Sequence, residues 1–267
     1  MNQTTPALDE FLIDIPQPNK TPNTYYTKEE LSALNPSHVP EHIAIIPDGN
    51  RRWANRHETT TSSGHEHGAD IIIDIVKAAK EIGVKTITFY VFSTENWLRP
   101  QEEVDAFMWL LETYLTEQTE TMIDGGIRLH TIGDQSKLSP SLTATINKTK
   151  ISTAKCNEVD LILAINYGGR DEITRAFKRM LADTEKGILD KESITEATVN
   201  RYLDTSGWKD PDLLIRTSGE ERISNFLIWQ VSYSEIQSVE VLWPDFTPQH
   251  LYRAVKDYQI RERRLGN

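Results

Sequence analysis

Short apolar runs alternate with segments of helical periodicity along most of this chain, and this alternation constrains the possible folds more strongly than any other feature. The apolar runs have the length and the β-branched or aromatic composition of buried strands. They occupy 42–47, 86–92, 127–132, 159–165, 212–215 and 239–242. Between them, apolar residues recur at helical spacing in 71–82, 104–122, 138–154 and about 171–182.

The strand candidates are continuously apolar rather than alternating, which is typical of strands that helices cover on both faces. Repeated strand–helix alternation predicts a single-domain α/β fold with a mainly parallel central sheet of about six strands, flanked by helices. In such sheets the ligand crevice lies at the carboxyl ends of the strands. The residues that follow each strand are therefore the candidates for function.

Composition excludes several classes of protein. The 267 residues include 29 Lys and Arg against 40 Asp and Glu, a net charge of −11, so no nucleic acid is expected as a partner. Cys156 is the only cysteine, which excludes an internal disulfide and a cysteine-rich zinc site. No apolar run approaches the roughly 18 residues that span a bilayer, and no secretory signal is visible. We therefore expect a soluble cytoplasmic protein.

The first part of the chain has a different composition. Six of the 12 prolines lie within the first forty residues, in a stretch rich in Asn and Thr. We predict a poorly ordered N-terminal extension over residues 1–38, with a short helix near 27–34 as an option. The folded domain would then comprise residues 39–267.

The first strand candidate ends in a hexapeptide that can bind an anion, Asp48-Gly49-Asn50-Arg51-Arg52-Trp53. Gly49 lets the backbone approach a ligand closely, and Asn50 is a good N-cap for a helix whose free N–H groups point at an anion. Arg51 and Arg52 add positive charge, and Asp48 fits beside an anion if a divalent cation bridges the two. An ordinary Asp-Gly turn with a surface arginine pair is the alternative.

The second strand candidate also leads into a polar loop, Ser93-Thr94-Glu95-Asn96-Trp97-Leu98-Arg99-Pro100. Its hydroxyl groups could contact a ligand or cap a helix, and Pro100 is suited to the start of that helix. A polar loop that only connects a strand to a helix is the alternative.

The loop after the strand candidate at 212–215 carries Arg216, Arg222 and Ser224. These residues can cradle an oxyanion, because guanidinium groups match the geometry of phosphate oxygens. Glu220 and Glu221 lie between the two arginines, so exposed Arg–Glu pairing is the alternative.

Several familiar motifs are absent. His65-Glu66-His67 is not the His-Glu-x-x-His pattern of zinc enzymes, although His65 could donate a hydrogen bond to a phosphate oxygen. The chain has no dinucleotide-binding Gly-x-Gly-x-x-Gly after the first strand, no P-loop and no Gly-x-Ser-x-Gly elbow. Gly168-Gly169-Arg170 is interpreted as a tight structural turn.

Five segments together resemble the signature regions of the cis-prenyltransferases, of which bacterial undecaprenyl diphosphate synthase (isoprenyl transferase) is the nearest form. They are 42–53, 92–100, 166–170, 216–229 and 241–246. The segments occur in the right order and the resemblance covers about 38–266, so the catalytic domain would comprise 39–267. The Asp-Asp-x-x-Asp pairs of the all-helical trans-prenyltransferases are absent.

The resemblance implies an Mg²⁺-dependent enzyme that adds isopentenyl diphosphate to an allylic diphosphate such as farnesyl diphosphate. Each addition would give a cis double bond, and the product would be a lipid carrier for cell-wall synthesis such as undecaprenyl diphosphate. The family pattern makes Asp48 the central carboxylate and a Mg²⁺ ligand, Asn96 the residue linked to proton removal, and Glu235 a second Mg²⁺ ligand.

The other matches concern substrate binding. The residues matched to the allylic diphosphate site are Gly49, Asn50, Arg51, Arg52, Trp53, Thr61 and His65. The second loop matches at Ser93, Thr94, Glu95, Trp97 and Arg99. The residues matched to the isopentenyl diphosphate site are Arg216, Arg222, Ile223 and Ser224. A neutral amide is a poor base, so we expect Asn96 to orient groups while a diphosphate oxygen takes the proton.

A growing prenyl chain needs an apolar tunnel, since burial of each CH₂ contributes about 0.8 kcal/mol. The candidate wall residues are Ala69, Val91, Val159 and Ile165, although core packing explains them equally well. The region 102–134 lacks the insertion that looks typical of long-chain eukaryotic relatives, so a product near undecaprenyl length is expected. A homodimer is implied, and peripheral membrane contact for product release is compatible with the resemblance.

Two residues depart from the family pattern. Arg51 stands where Gly is common, and Thr61 replaces a frequent Arg in a loop rich in Thr and Ser. Either the allylic diphosphate binds less tightly, or Arg51 compensates from another backbone position. The C-terminal 261–266 contains the Arg-x-Gly ending that in relatives reaches the neighbouring subunit's site, with a solvated basic tail as the alternative.

Two other functions are compatible with parts of the sequence. A non-catalytic regulatory partner of a prenyltransferase would keep the fold, but the matched site residues are all present. A phosphatase with Asp48 as nucleophile is disfavoured, because no second aspartate follows two residues later.

Overall fold

A six-stranded parallel sheet forms the centre of the molecule, which the computed structural model describes for residues 24–261. Within that range the strands are β1 (His42–Ile46), β2 (Thr86–Ser93), β3 (Ile127–Ile132), β4 (Val159–Tyr167), β5 (Leu213–Arg216) and β6 (Glu235–Ser238). Their order across the sheet is β3-β4-β2-β1-β5-β6, and every neighbouring pair is parallel. The predicted α/β fold is confirmed.

Helices connect these strands. Within residues 24–261 they are α1 (Lys28–Ser32), α2 (Asn50–Arg56), α3 (Thr61–Asp70), α4 (Ile72–Glu81), α5 (Gln101–Asp124), α6 (Pro140–Ser152), α7 (Gly169–Glu185), α8 (Glu196–Tyr202) and α9 (Pro248–Ile260). No helix in the described part of the chain is long and apolar enough to cross a bilayer.

Both faces of the sheet are buried, as the continuous apolar runs predicted. On β1, Ile43 and Ile45 join a large cluster formed with the apolar sides of α4, α5, α6 and α9. Ala44 and Ile46 join a smaller cluster on the other face, which includes Phe226 from the loop after β5. Packing on both faces fixes the position of each strand within the sheet. It thereby fixes the position of the loop at the carboxyl end of that strand.

The prediction of a poorly ordered N-terminal extension is wrong for residues 24–38. Residues 24–38 pack on the domain: Tyr26 is 2% exposed and its hydroxyl donates to the Pro248 carbonyl at 3.1 Å. The backbone N–H of Tyr25 donates to Glu81 at 2.8 Å, and a capping box of Thr27 and Glu30 starts α1. Burial of an aromatic ring therefore outweighs the polar composition of this segment. Residues 1–23 lie outside the described residues.

The predicted strand at 239–242 is wrong in position. The ladder with β5 pairs Leu213 with Glu235 and Arg216 with Ser238, so β6 begins four residues earlier. The carbonyls of Val239 and Val241 instead accept hydrogen bonds from the backbone of Gly219 and Ser218. The backbone of this segment thus holds the loop that follows β5 in place by hydrogen bonds.

Candidate active site

The carboxyl ends of the central strands open into one cavity of about 590 Å³. Ten of the residues predicted from the sequence line it: Asp48, Gly49, Asn50, His65, Ser93, Glu95, Asn96, Arg99, Arg216 and Ser224. They come from the exits of three strands and from α3, which confirms that the strand-end loops converge. A volume of this size falls within the range of small-ligand pockets.

Asp48 lies at the polar end of the cavity between two arginines. The Arg216 guanidinium donates to Asp48 Oδ2 at 2.7 Å, and Arg52 Nη2 lies 3.3 Å from Oδ1. The Arg216 contact follows from the sheet, because β1 and β5 are neighbours with Ile46 paired to Arg216. Arg52 reaches Asp48 locally, from four residues further along the chain on α2. A carboxylate and two guanidinium groups are thereby held within contact distance of each other.

The charges around Asp48 keep it ionised. Burial alone would raise the pKa of its carboxyl, but the Arg216 and Arg52 guanidiniums outweigh burial and hold the pKa below its usual value. The Arg216 side chain is only 6% exposed, and its Nε has no hydrogen-bond partner among the described residues. A buried, unsatisfied N–H is costly, and an anionic oxygen could accept from it.

The backbone of Asp48 is fixed by the segments that follow β5 and β6. Its carbonyl accepts from the hydroxyls of Thr217 at 2.6 Å and Ser218 at 2.7 Å, and from the Trp243 N–H at 3.0 Å. Gly49 follows with φ of 114°, where a Cβ atom would lie 2.3 Å from Ser218 Oγ. Only glycine fits this position, and Gly49 rather than the predicted Asn50 takes the N-cap of α2.

The loop after β2 is organised by Asn96. Its Oδ1 accepts the backbone N–H of Ser93 at 3.0 Å, so the carbonyl oxygen is already engaged and the amide NH₂ is left as a donor. Glu95 accepts from Asn225 Nδ2 at 3.0 Å. Burial would raise the pKa of the Glu95 carboxyl, but hydrogen bonds outweigh that effect and lower it.

The loop after β5 brings Ser224 to the cavity but not Arg222. Arg216 Nη1 donates to Ser224 Oγ at 2.7 Å and also to the Arg222 carbonyl. The Arg222 side chain is exposed and pairs with Glu220, which also lies 3.1 Å from Arg52. The surface pairing left open by the sequence is thus the arrangement seen for Arg222.

His65 lines the cavity close to Arg99 and Glu103, whereas Arg51 is not among the lining residues. Arg51 Nη2 donates to both oxygens of Glu103 at 2.8 Å, and Arg99 donates to the same carboxylate at 3.2 Å. Burial, helped by the nearby Arg99, lowers the pKa of His65 to about 4. His65 is therefore a neutral imidazole near pH 7, and its ring packs edge-on against Phe107.

Several predicted site residues do not line the cavity. The Trp53 indole donates to Asp245 at 2.8 Å and stacks on His57, and the Trp97 indole donates to Asn166 at 2.7 Å. Ile223 packs against the smaller core cluster. Neither Thr61, the first residue of α3, nor Thr94 is among the lining residues. These side chains support the loops rather than form the cavity surface.

Glu235 lies at the wrong end of the sheet to share a metal ion with Asp48 in one chain. It is the first residue of β6, whereas Asp48 follows the carboxyl end of β1. Register pairs Glu235 with Leu213, three residues before Arg216, and its carboxylate contacts Arg261 at 2.9 Å. The expected pair of ligands for one ion is therefore not formed. Sequence motifs could not reveal this, since they do not report strand register.

The other wall of the cavity is apolar. Ala69 and Val91 line it as predicted, whereas Val159 and Ile165 lie in the core instead. A stripe of α5 and several residues near the loops line the cavity without having been predicted. Among them are Phe107, Leu110, Leu111, Tyr114, Tyr90 and Asn225. The α5 residues recur at helical spacing, a signal that core packing explains equally well when only the sequence is considered.

The polar lining suits a cation only in part. Within residues 24–261 no group of three or more His, Cys, Asp or Glu side chains is placed to hold a metal ion. Asp48 and Glu95 are the carboxylates that line the cavity. Mg²⁺ commonly takes one or two protein carboxylates and completes its shell with substrate phosphates and water. An ionised Asp48 fits that donor set if a bound diphosphate supplies further oxygens.

Comparisons with known proteins agree with the motifs. The family model described as "Putative undecaprenyl diphosphate synthase" matches residues 46–266. An isoprenyl transferase of Clostridium tetani is 48% identical over 252 residues, which are 93% of this chain and 97% of that protein. Lavandulyl diphosphate synthase from Lavandula x intermedia, solved with dimethylallyl diphosphate, superposes with a TM-score of 0.84 at 35% identity, covering 86% of this chain and 100% of that one.

A second solved structure has the same fold. A probable undecaprenyl diphosphate synthase from Campylobacter jejuni superposes with a TM-score of 0.72 at 33% identity, covering 85% of this chain and 99% of that one. Each of these similarities therefore extends over most of the chain and nearly the whole of the other protein. The chain belongs to the undecaprenyl diphosphate synthase family and is an isoprenyl transferase of the cis-prenyltransferase class.

Proposed function

We propose that this chain adds isopentenyl diphosphate to an allylic diphosphate, with farnesyl diphosphate as the primer, and releases a polyprenyl diphosphate of about undecaprenyl length. The observation that carries this proposal is the contact of Asp48 with Arg216 and Arg52 at one end of an apolar cavity. Paired guanidiniums suit diphosphate head groups, and apolar walls suit prenyl chains. The names of the relatives support the same reaction, and no observation favours a regulatory subunit.

The arginines stabilise the departing diphosphate. Negative charge grows on the leaving group as the allylic C–O bond breaks, and guanidiniums placed beforehand stabilise that charge without reorganisation. Arg52 is exposed enough to turn from Asp48 and Glu220 towards the allylic head group. Arg216, with its free Nε, binds the head group of isopentenyl diphosphate together with Ser224. Arg222 joins them when it leaves Glu220.

The apolar wall protects the reacting carbon. The double bond of isopentenyl diphosphate attacks the allylic carbon as positive charge develops there, and water would otherwise capture that carbon. Phe107, Leu111 and Tyr114 of α5 face the cavity and exclude water from it. The same wall binds the growing prenyl chain through burial of its CH₂ groups.

The proton lost after each addition goes to a diphosphate oxygen in this proposal. Asn96 is a poor base, because a neutral amide has little affinity for a proton and its Oδ1 already accepts one hydrogen bond from Ser93. His65 is neutral, but its neighbours are Arg51, Arg99 and Phe107, and the two arginines disfavour a proton on its ring. Asn96 instead orients the loop and donates to substrate.

Asp48 is the residue that would hold Mg²⁺, together with oxygens of the bound diphosphate. The metal ion, when bound, supplies positive charge that neutralises the diphosphate and assists its departure. Asp48 is ionised. Its carboxylate becomes available to a cation when substrate oxygens attract Arg52 and Arg216. Glu235 is left out of this site and binds Arg261 instead.

A homodimer is also proposed, with peripheral membrane contact during product release. Phe177 and Leu181 lie one helical turn apart on α7 and are 56% and 48% exposed, so an apolar strip is available for a second copy. Sedimentation at micromolar concentration should give twice the 30.5 kDa mass. A monomer at that concentration would contradict the dimer without affecting the reaction.

Product analysis tests the reaction directly. The purified protein would be incubated with farnesyl diphosphate, labelled isopentenyl diphosphate and Mg²⁺, and the products separated by chain length. Labelled long-chain polyprenyl diphosphate supports the proposal. No turnover would point to a regulatory subunit, and phosphate release without chain growth would point to a phosphatase.

A further inference from the structure

Asn225 connects three strand-end loops although no motif assigned it a role. Its Nδ2 donates to Glu95 at 3.0 Å in the loop after β2. Its Oδ1 accepts from the Arg170 N–H at 3.0 Å, and its carbonyl accepts from the Gly169 N–H at 2.7 Å, both at the start of α7. Asn225 itself belongs to the loop after β5 and lines the cavity.

The backbone around Asn225 is held in an unusual conformation. Ser224, Asn225 and Leu227 have φ values of 48°, 63° and 46°. Positive φ is unfavourable for residues other than glycine, and asparagine tolerates it best. Such strain persists only where surrounding contacts over-determine it. The three hydrogen bonds of Asn225, and the Tyr90 hydroxyl that donates to the Ser224 carbonyl at 3.3 Å, are those contacts.

A chain of direct contacts leads from Asn225 to the reacting end of the cavity. Ser224 is its neighbour, and Ser224 Oγ accepts from Arg216 Nη1 at 2.7 Å. The same guanidinium donates to Asp48 at 2.7 Å. A shift of Asn225 therefore displaces Ser224. Because Ser224 accepts a hydrogen bond from Arg216, this displacement reorients the guanidinium of Arg216.

We propose that Asn225 is a positioning residue that fixes the geometry of the isopentenyl diphosphate site formed by Arg216 and Ser224. This proposal rests on the function proposed above. It touches neither reacting atom nor, by itself, the head group. It acts by fixing Ser224 and Arg216 relative to the loop that carries Glu95 and Asn96. The ligand whose affinity depends on it is isopentenyl diphosphate rather than the allylic substrate, which binds beside Arg52.

Gly168 gives an independent means of moving the Asn225 side chain. A Cβ atom on Gly168 would lie 2.8 Å from Asn225 Nδ2 and 2.6 Å from Thr94 Oγ1. The φ of Gly168 is −156°, which any residue adopts, so Gly168→Ala introduces crowding without backbone strain. That variant should displace the Asn225 amide while leaving Asn225 itself unchanged.

The test compares Asn225→Gly, Asn225→Asp and Gly168→Ala. Glycine keeps the positive φ and removes both side-chain bonds. Aspartate keeps the acceptor for Arg170 but places a second carboxylate against Glu95. Adding Glu95→Gln to Asn225→Asp restores a donor–acceptor pair with its direction reversed. Asn200→Asp, which alters the acceptor of the Trp229 indole outside the cavity, adds the same charge as a control.

Calorimetry with isopentenyl diphosphate alone measures its Kd, and steady-state kinetics measures KM for both substrates. We expect Kd and KM for isopentenyl diphosphate to rise about tenfold in Asn225→Gly and in Gly168→Ala, in line with the loss of one or two hydrogen bonds. KM for farnesyl diphosphate should change less than about twofold, and the Asn225→Asp/Glu95→Gln pair should bind more tightly than Asn225→Asp.

Three results would overturn the assignment: an unchanged Kd for isopentenyl diphosphate, an equal rise in both KM values, or no recovery in the double variant. If one variant does not fold, as thermal unfolding would reveal, the remaining two decide the question. The proposed function fails in a different way, through absence of labelled polyprenyl product from the unaltered protein.

Discussion

The guanidinium of Arg216 donates to the Asp48 carboxylate at 2.7 Å, across the carboxyl ends of two neighbouring parallel strands. The two residues are 168 positions apart in sequence, and each comes from a different motif. Neither motif by itself distinguishes an anion site from a surface turn. Their contact joins the two candidate diphosphate sites through a single ion pair, and it places that pair at the mouth of an apolar cavity.

Replacement of Gly49 by alanine should destabilise the fold and abolish most activity. Alanine at φ of 114° is strained by about 1–3 kcal/mol, and its Cβ would lie 2.3 Å from Ser218 Oγ. Chemical denaturation measures the free energy of unfolding.

Gly83→Ala is a matched control for that experiment. Gly83 has φ of 100°, but a Cβ atom added to it would have no neighbour within 4 Å, and the residue is outside the cavity. The variant should lose stability through backbone strain alone and keep its kcat. Equal effects of the two variants on kcat would contradict the claim that the close contact of Gly49 with Ser218 is needed for activity.

Arg51→Gly should raise KM for the allylic substrate by about two- to fivefold. Arg51 and Arg99 both pair with Glu103. Without Arg51, the Glu103 carboxylate pairs with Arg99 alone and holds the Arg99 guanidinium away from a diphosphate. The Arg51 side chain is 59% exposed, and exposed ion pairs contribute at most about 1 kcal/mol. Arg56→Gly, on the same helix, controls for lost helix propensity. An unchanged KM and rate would dismiss the idea that Arg51 compensates for Thr61.

The imidazole of His65 should remain neutral down to about pH 5. Its pKa in the folded protein is about 4, below the ordinary 6.5, mainly because it is buried. The unfolded chain therefore takes up a proton on this residue before the folded one does, and stability falls as pH drops from about 6.5 towards 4. NMR titration of the ring, assigned with His65→Gln, measures this. A midpoint near 6.5 would refute the burial argument.

Tyr26→Ala should lower the free energy of unfolding by about 3–5 kcal/mol, because it leaves a cavity in the core and removes the bond to Pro248. Ile151→Ala, an exposed residue of α6, should change stability by less than about 0.5 kcal/mol. A loss below about 1 kcal/mol for Tyr26→Ala would favour the loosely attached extension that composition predicts.

The sequence predicted the layers of the fold well, because continuous apolar runs such as Leu161–Ile165 report burial on both faces directly. It predicted β6 poorly, since Glu235–Ser238 is polar and pairs with β5 only through backbone bonds. It predicted the loop residues that meet at Asp48, because those motifs are local. It could not predict that Glu235 lies at the edge of the sheet opposite to Asp48, or that Asn225 forms hydrogen bonds to two other loops. Both features depend on contacts between distant segments.

The rate of chain elongation in Asp48→Asn tests the central claim most directly. Asparagine keeps the size of the side chain but removes the charge that pairs with Arg216 and Arg52 and that would bind a cation. Asp160→Asn, an arginine-paired aspartate outside the cavity, is the matched control. We predict that kcat for polyprenyl formation falls at least about 100-fold in Asp48→Asn and less than about twofold in Asp160→Asn. Normal elongation by a folded Asp48→Asn protein would contradict the account.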